Sequence, residues 1–145
     1  MALLGKRDAE SNESLSLRWG ERAAKLLVVG AMNELFNEQG EPFGGMLGSL
    51  LLSSIEKGLK VQRIEVALLG VSRSAKREQI SEELRNFTPR VVLALGREIW
   101  ELCDPDSSDG STILTCSLRE VSTSVGFKRQ YWEDLKKIIS IFNEA

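Results

Sequence analysis

The chain has no histidine, and among its 145 residues it holds only two cysteines, three prolines and one tyrosine. Without an imidazole, no Ser-His-Asp or Cys-His arrangement can be drawn. Cys103 and Cys116 are too few for a four-cysteine site, and their spacing matches no usual zinc pattern. No metal and no cofactor is expected, and both thiols should be reduced and partly buried. A net charge of −2, from 19 basic and 21 acidic residues, supplies no global positive field for a nucleic-acid backbone, so nucleic-acid contact should be weak or indirect. The longest apolar run, around Leu50-Leu51-Leu52, falls far short of the ~20 residues that span a bilayer, and the N-terminus lacks a basic-then-apolar signal layout. A soluble cytoplasmic protein without membrane contact is the expectation. Phosphate-loop chemistry is missing too: Gly40, Gly44, Gly45 and Gly48 precede no Lys-Ser/Thr pair, and no Gly-x-Gly-x-x-Gly follows the first apolar run.

What is present is 42% hydrophobic content, enough for one domain burying roughly 70% of the surface its unfolded form exposes. Residues 1–22 scatter Leu3, Leu4, Leu15, Leu17 and Trp19 among Ser, Glu, Arg and Asn, and read as a flexible tail. Leu15, Leu17 and Trp19 are its candidate partner anchors, with packing of Trp19 back onto the domain an equal option. Residues 23–145 alternate short β-rich runs with amphipathic stretches, the pattern of βαβ units. Strands are predicted over Leu26–Gly30, Gln62–Leu69, Arg90–Gly96 and Thr112–Cys116.

Helical periodicity predicts a helix over Gly45–Lys57, with Leu47, Leu51 and Ile55 inward and Gly58 as a left-handed stop. Ser74 is placed to cap a helix carrying Ile80, Leu84 and Phe87, which ends at Thr88-Pro89. A short helix ends near Cys103. A last one, from about Lys128, buries Tyr131, Leu135, Ile138 and Phe142 and pairs Glu133 with Lys137 outside. These elements predict an α/β three-layer sandwich with a central four-stranded parallel sheet. Its ligand edge would be lined by the loops at 31–44, 70–74 and 116–127.

Three groups carry candidate chemistry. Glu34, Glu38 and Glu41 cluster in the first loop, where carboxylates could activate water or hold Mg²⁺, although a solvated loop is the simpler reading. Arg73, Lys76 and Arg77 oppose the dipole at a helix start, which favours an anionic or acidic partner as well as plain solvation. A Ser–Lys arrangement of Ser72 or Ser74 with Lys76 competes with capping, the stronger explanation. Lys128, Arg129, Lys136 and Lys137 are most simply the wet face of the last helix.

Gly40, Pro42, Phe43, Gly45, Gly48, Leu50 and Leu51 stand in the pattern Gly-x-Pro-Phe-x-Gly-x-x-Gly-x-Leu-Leu. This loop resembles the uracil-recognition loop of the uracil-DNA glycosylase superfamily, and Leu26 to Leu135 can be laid along its iron–sulfur class. Pro89-Arg-Val-Val-Leu-Ala-Leu-Gly96 is similar to that family's Pro-x-Val-Ile-Val-Ala-Leu-Gly strand, and Lys128, Trp132, Asp134 and Leu135 stand where it opens its final helix. The resemblance implies a glycosylase-like fold whose Phe43 would stack on a base. The chemistry is missing from it: the water-activating motif reads Gly30-Ala-Met-Asn-Glu34, the base-reading Asn is absent from Arg63–Leu69, and His-Pro-Ser has become Ser117-Leu118-Arg119. The family histidine stabilises charge on the departing uracil, which a serine hydroxyl cannot do.

No catalytic residue is therefore expected, and Phe43, Gly45, Ser117 and Arg119 would line a degenerate cleft. Such an inactive layout, behind a short tail, is similar to the psi subunits of bacterial DNA polymerase III holoenzymes, which connect the clamp loader to a chi subunit and single-stranded-DNA-binding protein. The resemblance implies a non-catalytic replication connector with clamp-loader and chi-like partners. The alternatives are a divergent uracil-DNA glycosylase that positions water with Glu34 or Glu38, or an inactive base- or DNA-binding module.

Overall fold

The computed structural model describes residues 16–103 and 111–144. In chain order these form β1 (Ser16–Trp19), β2 (Leu26–Ala31), the single turn α1 (Met32–Leu35), and α2 (Gly45–Ser53), which widens into a π turn (Ser54–Leu59). Next come β3 (Val66–Val71), α3 (Arg77–Leu84), β4 (Val91–Leu95), α4 (Arg97–Leu102), β5 (Ser111–Thr115), α5 (Leu118–Thr123) and α6 (Val125–Phe142).

Strand pleating divides the core in two. Leu26 and Val28 of β2 point to one face with Val66, Leu68, Leu93 and Leu95, where α2, α5 and α6 contribute Leu51, Leu118, Tyr131, Leu135 and Ile138. Leu27 and Val29 point to the other face with Ala67, Leu69 and Ala94, covered by Ile80, Phe87 and Cys103. Because β3 lies under helices on both faces, all six of its residues are buried.

The sheet has five strands in the order β1-β3-β2-β4-β5 and is mixed. This corrects the expected four-stranded parallel sheet. β2 pairs in parallel with β3 and β4, and β4 with β5, whereas β1 runs antiparallel along β3, from Ser16 opposite Val71 to Trp19 opposite Leu68. The extra strand comes from the segment expected to be tail. Leu17 and Trp19 pack against the larger core cluster, while Arg18 reaches Glu83 at 3.2 Å. Two apolar residues in a four-residue alternation are too short a pattern to stand out from a polar segment. Leu15 lies outside the described residues.

Local chemistry moves several boundaries. The Glu65 carboxylate accepts from the Gln62 N–H at 3.1 Å and closes a 3-10 turn over Arg63–Glu65, so β3 starts later than its sequence pattern implies. Ser74 does not cap α3: the helix starts at Arg77, and the Gln79 side chain accepts from the Lys76 N–H at 2.8 Å. The left-handed residue ending the π turn is Lys60, φ +58°, rather than Gly58. Ser124 accepts from the Phe127 N–H at 3.1 Å and starts α6 earlier than Lys128. On that helix Glu133 pairs with Lys136 at 3.0 Å and Lys137 with Asp134 at 3.2 Å, replacing the expected Glu133–Lys137 pair. Among the described residues, no helix is long and apolar enough to cross a membrane.

Candidate functional site

From β2 the chain moves outward to β3, then crosses back to β4 on the other side, which makes the gap between the carboxyl ends of β2 and β4 a switch point. Doubly wound sheets open their ligand crevices there. A cleft of about 910 Å³ occupies that position, lined after β2 by Asn33 and Glu34, after β3 by Ser72 and Arg73, after β4 by Arg97 and Glu98, and after β5 by Ser117, Arg119 and Glu120.

At the α5 edge of the cleft, Glu34, Ser117 and Glu120 are committed to holding the fold. Ser117 is the N-cap of α5: its Oγ accepts from the Glu120 N–H at 3.2 Å, and Glu120 Oε1 accepts from the Ser117 N–H at 3.0 Å. This reciprocal capping box satisfies two donors that the helix start would otherwise leave open. The Ser117 hydroxyl also donates to Glu120 Oε1 at 3.3 Å, so both its donor and its acceptor serve the cap.

Glu34 is 5% exposed, and its Oε1 accepts from the Leu118 N–H at 2.9 Å, tying α1 to α5 across 84 residues of chain. Arg119 Nε stands 4.0 Å from Glu34 Oε2, with the guanidinium mostly in solvent. Burial pushes the Glu34 carboxyl above its ordinary range. The backbone N–H groups of Leu118 and Arg119 and the Arg119 charge pull it down, and Glu120 pushes it up. It is the one buried carboxylate lining the cleft, and a raised carboxyl is a proton donor or acceptor only where a reacting atom lies within reach.

The other half of the expected site is elsewhere. Phe43 and Gly45 do not line the cleft. Phe43 is 7% exposed, meets the Trp19 ring edge-on at 5.4 Å between centroids, and lies 5.8 Å from the Arg63 guanidinium. Its loop is closed by Asn37, whose Oδ1 accepts from the Gln39 and Glu41 N–H groups at 3.0 and 2.9 Å, and by a Phe36–Pro42 bridge. Gly45 supplies a turn at φ +76° with open space around it. Gly48 matters for contact: a Cβ there would sit 2.4 Å from the Phe43 carbonyl carbon. The close approach that Gly48 allows is to the Phe43 backbone.

The acidic group disperses, with Glu34 in the cleft, Glu41 accepting from Asn37 Nδ2 at 2.6 Å, and Glu38 exposed. Of the basic group, Arg73 lines the cleft. Lys76 and Arg77 start α3 outside it. Leu17 and Trp19 are half-buried in β1 and not free as tail anchors. Asn33, Arg97 and Glu98 were not singled out in the sequence, although each follows a buried strand directly, where crevice residues are expected. Among the described residues, no group of three or more potential ligands could hold a metal ion. Comparison with protein-family models and with curated proteins returns no match for this chain.

Proposed function

We propose that the protein is a non-catalytic cytoplasmic connector of replication proteins, of the psi-subunit kind, joining a clamp-loader subunit to a chi-like partner. The observation that supports this reading is the use of the cleft's polar groups. Ser117, at the position of the family histidine, caps α5, and Glu34 holds the Leu118 N–H. Both serve the start of α5, and the Glu120 carboxylate that meets the Ser117 hydroxyl is itself held by the Ser117 N–H. The glycosylase-like ancestry belongs to the same proposal and rests on the motif resemblance.

The test mixes the purified protein with purified clamp-loader and chi-type subunits of its own organism and follows co-elution. A stoichiometric complex is expected, together with no base release from uracil-containing DNA. No complex with either subunit, or base release abolished by Glu34→Gln, would overturn the reading.

A second reading, an inactive DNA-binding module, would use Arg73, Arg97 and Arg119, which share one cleft with Glu34, Glu98 and Glu120. It predicts salt-sensitive binding of single strands, weakened by Arg73→Ala and Arg97→Ala. Burial of Phe43 outside the cleft weighs against base stacking on that ring.

A further inference from the structure

Trp132 of α6 is 40% exposed, and Val125 and Phe127 on the same helix are 72% and 40% exposed. Open apolar side chains on a small domain are ordinary when scattered singly. Trp132 differs because its indole packs directly on a glycine. A Cβ at residue 58 would lie 2.4 Å from its Cζ3 and 2.7 Å from its Cη2, so a side chain at 58 would displace the indole. Tyr131 meets it at 5.9 Å between ring centroids.

Gly58 lies inside the π turn that follows α2. Glycine inside a helix is less favourable than alanine. Inserted π turns are frequent at functional sites. Both departures from a regular helix therefore converge on one indole that lies against the π turn and is left half open. A pre-positioned aromatic loses little freedom on binding, which is why such residues dominate interface energetics.

The surroundings specify the partner's chemistry. Lys128 and Arg129 stand four and three residues before Trp132, and Lys136 four after, so all three neighbour it on the helix surface. Lys136 is engaged by Glu133, whereas Lys128 and Arg129, with Lys57 beside Gly58, have no acidic partner among the described residues. The frame around the indole is thus positive in a chain whose net charge is −2.

We infer that this surface of α6, centred on Trp132, docks an acidic segment of a partner protein, seating one apolar side chain against the indole and setting carboxylates on Lys128 and Arg129. The identity of the partner as a replication protein rests on the connector reading above. A protein segment fits better than a nucleic acid because Val125, seven residues before Trp132 and on the same side of α6, offers apolar contact that a phosphate backbone does not use.

The test titrates the isotopically labelled full chain with a blocked synthetic peptide alternating Glu with Leu and Phe, and follows backbone and indole amide shifts. Its Glu→Gln counterpart and an oligo-dT strand serve as comparison probes. The acidic peptide should move the Trp132 indole N–H together with Lys128 and Arg129, and bind at least about tenfold more tightly than the neutral peptide. Trp132→Ala should abolish this.

Should that variant fail to fold, the exposed pair Lys128→Glu and Arg129→Glu gives the same readout. Shifts centred elsewhere, equal binding of the neutral peptide, or preferred binding of oligo-dT at Trp132 would each overturn the inference. Co-elution with replication subunits that the Lys128→Glu/Arg129→Glu variant leaves intact would sink the inference and spare the connector. Peptide binding at Trp132 without any replication complex would do the reverse.

Discussion

The Phe43 loop and the Ser117–Glu34 edge were expected to face each other across one pocket, and they meet different fates. Phe43 has been drawn into the core between Trp19 and Arg63 and is 7% exposed. Ser117 and Arg119 still border an open cleft, but Ser117 serves the helix that follows it. Aromatic rings are retained by burial, whereas a short polar side chain at a strand end is retained by the cap it makes. Residues that the motif resemblance assigns to one site meet two independent structural needs.

Substitutions can break that contrast. The largest effect is expected for Phe43→Ala, which removes a buried ring and should destabilise the fold by about 3–5 kcal/mol in urea unfolding. If Phe43 were instead a stacking platform open to ligand, the loss would be small. Gly48→Ala should follow at about 1–3 kcal/mol, since its methyl would press on the Phe43 backbone.

Ser117→Ala should cost about 1 kcal/mol, the usual value of an N-cap, and Ser117→Asp should restore most of it. A Ser117 with a role in chemistry would not accept aspartate on those terms. The smallest effect, one of slope, belongs to Glu34→Gln. Because burial raises the Glu34 carboxyl, the folded state holds its proton more tightly than the unfolded chain does. Wild-type stability should then fall as pH climbs from the ordinary glutamate range through the raised value, and level off above it. The glutamine keeps an acceptor for the Leu118 N–H and cannot titrate. Unfolding curves between about pH 4 and pH 8 should show the variant gaining on the wild type as pH rises.

The α/β alternation was legible because Leu26–Gly30 and Arg90–Gly96 are apolar throughout, and Ile80, Leu135 and Ile138 recur at helical spacing. Burial of Tyr131, Leu135 and Ile138 bears out that spacing. What escaped was decided by contacts distant in sequence. β1 exists because β3 offers an edge, and Glu34 finds the Leu118 N–H 84 residues away, a partnership no local pattern announces. The 3-10 turn at Arg63 depends on one carboxylate reaching Gln62, which periodicity does not register. Of the candidate cleft, Ser117 and Arg119 were reached through the motif resemblance and the loop expected at 116–127, whereas Phe43 lies apart from them, packed against Trp19.

The antiparallel β1 also sets how the domain would respond to being pulled. Chain preceding residue 16 meets the sheet opposite Val71, beside the cleft, so tension from that side falls first on the Ser16–Val71 pair. Four ladder pairs would part in turn, ending at Trp19 opposite Leu68, and the Trp19–Phe43 contact would separate last. An edge strand this short is the cheapest part of the fold to open. Tugging on the leading segment would therefore unzip an aromatic contact before it disturbed the parallel strands, leaving Phe43 uncovered and the rest of the domain standing.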